Sequence, residues 1–176
     1  MEILEKTLKL NLGGRGTSIH GFTTVDLSEE NTSGIKADVS DLRMIGDGSV
    51  DEIYASQILE HFPMVRTVSV LKEWNRVLRK GGKISIGVPD FARAIELYQK
   101  WGLTDYISNL LYGDQGYDMA FHYAPFTFAR LASLMNSAGF KDMKRIKDMP
   151  YGLNDCSSLI CNADGKSVSL NVEAYK

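Results

Sequence analysis

The sequence predicts an α/β open sheet of about seven strands, mostly parallel, with helices on both faces and an antiparallel finish. Three observations carry this expectation. Short apolar runs alternate with longer segments of helical period. Those runs are bounded by Gly, Pro or Asp, the pattern of strands buried inside a parallel sheet. After the last helical segment the rhythm changes to closely spaced strand-like runs with an Asp164-Gly165 turn between the final two.

In chain order, residues 7–12 read as a strand ending in Gly13-Gly14-Arg15-Gly16, and residues 22–25 as a second closed by Asp26. Residues 35–39 make a weaker third strand and residues 50–55 a fourth, while residues 83–88 form a fifth stopped by Pro89. Between the fourth and fifth, Met64, Val68, Leu71, Trp74 and Leu78 recur at helical spacing, with Pro63 near the start and Gly81-Gly82 as the stop. Asp90 is placed to cap a helix carrying Ala94, Leu97 and Trp101 and ended by Gly102. A further helix runs from about Thr127, with Phe128, Leu131, Met135 and Ala138 on one face and Gly139 behind it. Residues 143–149, 157–161 and 168–174 complete the strands.

A chain of 176 residues with 44% apolar content is expected to form one domain around a single core. Lys and Arg number 20 against 22 Asp and Glu, for a net charge of −2, which argues against a dedicated nucleic-acid binder. The basic run at residues 141–147 reads as a solvated edge strand. Cys156 and Cys161 make neither a disulfide scaffold nor a four-ligand zinc site and read as small buried hydrophobes of a reducing compartment, and no metal is expected. No apolar run reaches about 18 residues and no charged-then-apolar leader is present, so the expected location is the cytoplasm. The strand edges near the C-terminus leave a homodimer open.

In open α/β sheets ligands bind beyond the carboxyl ends of the strands, where the strand order reverses. That rule selects Gly13 to Gly16, Asp26, Asp38, Ser56 and Asp90. A glycine turn admits close backbone approach. An acid after the second strand can accept from two ribose hydroxyls, and Asp38 from an exocyclic amine, so the set outlines an adenosine-shaped site. A nicotinamide fingerprint starting at Gly14 would need glycine at residue 19, which is Ile19.

The segments LNLGG (10–14), VDLS (25–28), ADVSDLR (37–43), VDEIYASQILEHF (50–62), LKEWNRVLRKGGKISIGVPD (71–90) and LNVEAYK (170–176) resemble the class I S-adenosylmethionine-dependent methyltransferases, in particular small members of the type-11 group. The resemblance implies a Rossmann-like fold and S-adenosylmethionine as cofactor. Asp26 would hold the ribose, Asp38 and Val39 the adenine, and Asn11, Gly13 and Gly14 the methionine part, with Ser56 and Gln57 beside the sulfonium. It also implies methyl transfer to a polar small molecule, a sugar or glycolipid precursor; the alternative is a catalytically inactive binding or assembly module of the same fold. Either Arg15 stands where that family has glycine or the glycine register is shifted by one, and the five residues Thr17 to Gly21 allow at about 1.5 Å each little more than one turn of the usual first helix.

Methyl transfer is an in-line displacement at an activated carbon, so alignment and exclusion of water dominate, and an oxygen acceptor gains from a base near neutral pH. Of three histidines, His20 reads as surface, whereas His122 and then His61 are the candidate catalytic residues, with Tyr123 and Asp90 behind them. Residues 102–125 hold Tyr106, Tyr112, Tyr117, Phe121 and Tyr123 among glycines and are expected to form a substrate lid, the alternative being an insertion that packs its aromatics onto the core. Within them LLYGDQ and FHYAPFT continue the family resemblance.

Overall fold

Alternation of side chains along extended chain sends Ile53 and Ala55 into the main core and Tyr54 to the opposite side, so both faces of the central strand need a cover. The structure, a computed structural model, describes residues 7–153, 160–161 and 165–176. Strands β1 (Lys9–Leu12), β2 (Thr23–Val25), β3 (Val50–Ser56) and β4 (Leu78–Pro89) pair in parallel, and β8 (Ser169–Tyr175) runs antiparallel between β4 and β5 (Lys141–Ile146). The order β2-β1-β3-β4-β8-β5 makes a six-stranded open sheet in which β8 alone opposes the others. A separate two-stranded ladder joins β6 (Ile160–Cys161) to β7 (Lys166–Ser167). Of the strand expected at residues 157–161 only Ile160–Cys161 is described; Asp164 of the expected turn, Cys156 and residues 157–159 lie outside the described residues.

Two sequence expectations need correction. Residues 35–39 do not form a regular strand: Ile35 bridges Val25 in parallel, its N–H donating to the Thr24 carbonyl and its carbonyl accepting from the Asp26 N–H, and after the Ala37 N–H meets the Asp26 carbonyl at 3.3 Å the chain leaves the sheet. The helix expected to run from Pro63 to the Gly81-Gly82 stop is shorter, α1 (Thr67–Val77). Leu78 is already extended, and β4 contains both glycines. A Cβ on Gly82 would lie 2.9 Å from the Arg79 carbonyl oxygen, so this glycine serves a strand irregularity. The buried face of α1 is Thr67, Val70, Leu71, Trp74 and Val77, while Met64 lies exposed before it. Trp74 is fully buried and donates its indole N–H to the Val39 carbonyl at 2.9 Å, tying the coil after Ile35 to the helix.

The other helices start where local chemistry supplies caps. Asp90 accepts from the amides of Ala92 and Arg93 ahead of α2 (Phe91–Trp101), and Gly102 at φ 72° ends it. Thr104 caps α3 (Asp105–Tyr112), a helix inside 102–125 that the sequence reading did not anticipate, and Thr127 caps α4 (Phe128–Ser137). Leu97 of α2, Ile107 of α3 and Val168 form a small cluster of their own. Residues 13–22 hold only turns, so the first connecting helix is absent. The side that Tyr54 faces is closed by Ile19, Phe22, Leu153 and Met149 from irregular chain and Ile146 from β5. On edge strand β5, Lys141, Asp142, Lys144 and Arg145 are exposed, which disfavours pairing with another sheet.

Candidate active site

The chain begins in the middle of the sheet at β1, moves outward to β2, then crosses back to β3, so the strand order reverses between β1 and β3. The crevice beyond their carboxyl ends is where an open α/β sheet takes its ligand. Two non-glycine residues flank it in left-handed backbone: Arg15 at φ 46° past β1 and Gln57 at φ 52° past β3. Such conformations cost roughly 1 kcal/mol or more and persist where surrounding contacts hold them. The amide of Gln57 donates to the Gly87 carbonyl at 2.7 Å, and that of Arg15 to Asp26 Oδ2 at 2.9 Å. Arg15 therefore adopts the backbone that glycine would have taken.

Around this crevice Asn11 is buried and donates through Nδ2 to the Thr17 carbonyl. Gly13 and Gly14 have packing reasons to be glycine. A Cβ on Gly13 would meet Ile58 at 2.7 Å, and one on Gly14 would meet Asn11 Nδ2 at 2.2 Å. Asp26, half-buried at the end of β2, accepts from Ser28 and Arg15 amides on its two oxygens. A carboxylate has about four acceptor positions, so capacity for two hydroxyls remains. Ser56 Oγ is buried without a hydrogen-bond partner among the described residues, an unspent group at the tip of β3. Gln57 reaches Ser169 Oγ at 3.5 Å.

Asp38 lies in exposed coil, with Oδ1 accepting from the Ser40 amide. It is not at a strand end, because the strand that was to carry it does not form. Val39 turns its side chain into the core. Asp90, one of the fallback catalytic candidates, is a structural residue: it caps α2 through Oδ1 and takes Arg145 Nη2 at 2.6 Å through Oδ2. His20 is exposed, as expected.

The Arg15 side chain extends beyond β1 to residues 102–125. Its guanidinium stands 4.9 Å from the centre of the Tyr117 ring, donates to the Tyr117 hydroxyl at 3.3 Å and lies 3.5 Å from Glu30 Oε2. These contacts tie that segment to the glycine-rich loop.

His61 and His122, sixty-one positions apart, are brought together with ring centroids 5.0 Å apart in an edge-to-face arrangement. His61 Nδ1 lies 3.0 Å from the Phe121 carbonyl and His122 Nδ1 3.2 Å from the Leu110 carbonyl. A carbonyl only accepts, so each Nδ1 carries the proton and each Nε2 keeps its lone pair. Burial pulls both imidazoles below the ordinary histidine pKa, and for His122 the neighbouring His61 adds to it. Both are neutral at pH 7. His122 also borders an open cleft of about 260 Å³ lined by Phe91, Leu111, Tyr112, Tyr123, Ala124 and Pro125.

The third member of this group escaped sequence reasoning. Glu60, in the 3-10 turn Leu59–His61 that follows β3, is only 1% exposed. Neither carboxylate oxygen has a partner among the described residues beyond the residue's own backbone amide, and burial pushes the carboxyl up to about 8. Its backbone carbonyl meanwhile accepts from the amides of Tyr123 and Ala124 at 2.8 and 3.3 Å, which clamps the His122 segment against it. Donor atoms of Glu60, His61 and His122 all lie within 4.8 Å of one another. The available signal was the adjacency of acid and imidazole in LEHF, directly past a strand end.

Residues 14–86 match the family model of a methyltransferase domain. No curated protein matches the chain. Among solved structures, it is similar to a SAM-dependent methyltransferase of Methanosarcina mazei at 18% identity and a TM-score of 0.64, over 99% of this chain and 94% of that one. A SAM-dependent methyltransferase of Archaeoglobus fulgidus superposes at 14% identity and a TM-score of 0.63, over 97% and 86%. The 1,6-didemethyltoxoflavin-N1-methyltransferase of Burkholderia thailandensis, solved with 1,6-didemethyltoxoflavin and S-adenosylhomocysteine, does so at 18% and 0.60, over 96% and 70%. At such identities the likeness is one of fold.

Proposed function

We propose that this chain is an enzyme that transfers the methyl group of S-adenosylmethionine to an oxygen of a polar small molecule, a sugar or glycolipid precursor; the match of residues 14–86 to a methyltransferase domain and the likeness in fold to methyltransferases support this reading. The observation that carries this reading is the crevice at the β1/β3 reversal, where Asp26 keeps acceptor capacity and Ser56 Oγ is unpaired. In this reading Asp26 takes the ribose hydroxyls, Asn11, Gly13 and Gly14 back the methionine part, Asp38 and the Val39 backbone face the adenine, and Ser56 and Gln57 flank the sulfonium.

S-adenosylmethionine supplies a methyl carbon already activated by a sulfonium. The chain's task is to bring the acceptor oxygen in line with it and keep water out. The cleft beside His122 is the acceptor's place, and residues 102–125 act as its lid, latched to the cofactor loop by Arg15 on Tyr117. His122, with His61 behind it, is the group on hand for the acceptor's proton. Its Nδ1–H is anchored on a carbonyl and its Nε2 is neutral.

Titration with S-adenosylhomocysteine in a calorimeter tests the cofactor half directly. Binding is expected, and Asp26→Ala weakens it more than about tenfold, since a hydrogen bond to a charged acceptor contributes roughly 1.5–3 kcal/mol. A second reading, an inactive module of the same fold, draws on the missing first helix and on Arg15 reaching across the loop. A folded protein that gives no heat with this ligand belongs to that second reading.

A further inference from the structure

We infer that Glu60, His61 and His122 form a binding site for one divalent transition-metal ion, open on its remaining side to the aromatic cleft. Three independent features point there. The donor set converges from two distant stretches of chain to within 4.8 Å, wider than the roughly 3.4 Å edge that ligands about 2.1 Å from a tetrahedral ion require, so side-chain rotations that close the set by about an ångström complete it. Both imidazoles present Nδ1–H to backbone carbonyls, which orients the rings and reserves Nε2 for an ion, the outer-shell arrangement common to metal-binding histidines. The Glu60 carboxylate is buried with both oxygens unpaired among the described residues, a cost that structures tolerate when a ligand settles it.

The chemistry of the donors narrows the ion. Two imidazole nitrogens with one carboxylate suit Zn2+, Fe2+, Co2+ or Mn2+; an all-oxygen shell for Ca2+ is absent, and so is the thiolate that Cu+ favours. Three protein ligands leave at least one coordination position free, the pattern of catalytic rather than structural sites. The cleft of about 260 Å³ that His122 borders gives that position access to a small molecule.

The site itself stands on this geometry alone, whereas its role in catalysis rests on the methyl-transfer reading. In that role the free position takes an acceptor hydroxyl together with a neighbouring oxygen on the same molecule. The acceptor class is therefore a chelating one, such as a vicinal diol or a hydroxyl beside a carboxylate. Coordination lowers the hydroxyl pKa, its proton leaves through the cleft to solvent, and the oxygen attacks the methyl carbon. The new O–C bond forms as the C–S bond breaks, and the sulfonium becomes a neutral thioether. With the ion bound the histidines serve as ligands, and loss of the proton to solvent replaces the transfer to His122 that the metal-free site would use.

Cobalt titration of the metal-free protein, followed by visible ligand-field absorption, tests the inference. One equivalent is expected to bind with the intense spectrum of a four- or five-coordinate ion. Glu60→Gln and His122→Asn each weaken binding by about 100-fold or more while circular dichroism stays that of the folded protein. The wild-type titration does not depend on either variant folding. Cobalt that keeps the pale spectrum of its aqua ion in the presence of wild-type protein overturns the site, as does a spectrum indifferent to either folded variant. S-adenosylhomocysteine calorimetry on the same preparation reports separately on the methyl-transfer reading, so failure of one is not failure of the other.

Discussion

Two buried glutamates, eight residues apart around the end of β3, meet opposite surroundings. Glu52 sits on the strand with Lys9 Nζ at 3.0 Å, Lys83 Nζ at 2.9 Å and the Tyr151 hydroxyl as a further donor. Burial works to raise its pKa, but those donors outweigh it and hold the carboxyl below the usual glutamate value. Glu60 is buried more deeply, 1% exposed against 7%, and has none of those donors, and its pKa goes up to about 8. The first is a closed network, complete with what the chain provides. The second is an open one, and it lies beside two neutral imidazoles and a cleft. Burial of charge by itself says little about function; whether the fold has already satisfied the charge is what separates a structural acid from a candidate site.

The largest expected effect falls on the closed network. Glu52→Ala leaves two ammonium groups and a tyrosine hydroxyl facing each other and should cost about 2–3 kcal/mol. This is the lower end for a broken buried pair because both lysines remain partly exposed. Thermal unfolding should show a drop of several degrees, and an unchanged midpoint would mean the network is ornamental. For the open site the effect depends on pH. Glu60 holds its proton in the folded state and gives it up near pH 4.5 when unfolded, so its contribution is fully present below that value and is lost as pH rises through about 8. Metal-free wild type should therefore lose about 2 kcal/mol relative to Glu60→Gln between about pH 6 and about pH 9. Parallel pH profiles for the two proteins would contradict the assignment. The smallest effect is Tyr151→Phe, about 1 kcal/mol from one hydrogen bond to a charged acceptor at a half-exposed position, seen as a slight shift in denaturant midpoint. A loss as large as that of Glu52→Ala would mean that the tyrosine, not the lysines, is the main support.

Regions where a local rule decides the structure were legible before folding. Asp90, Thr127 and Gly102 mark helix ends as their side chains or lack of one dictate, and the solvated character of β5 follows from its charges. Ile35 to Val39 misled, because the run meets the free edge of β2 only as far as Ala37 before packing turns it inward. β2 makes a single bridge there, while Ala37 and Val39 satisfy their apolarity in the core and Val39 turns its carbonyl to Trp74. Gly81-Gly82 misled for a related reason: the same pair that stops a helix also permits an irregular strand, and the pairing of Val50 with Leu78 selects the second. Of the site, Asp26 and Ser56 could be placed from their positions after apolar runs, and His61 and His122 could be nominated by residue type alone.

The alternation of strands with helices, the caps of α2 and α4 and the position of the crevice follow from patterns local to the chain, and the sequence suffices for them. The meeting of Glu60 with His122 does not. It requires the segment after α3 to return and hang its amides on the Glu60 carbonyl, and it requires no lysine or arginine to arrive at the carboxylate. Both are long-range outcomes of packing, since solvation and pairing of a charge depend on every group within a few ångströms in space, and spacing in sequence does not encode that distance.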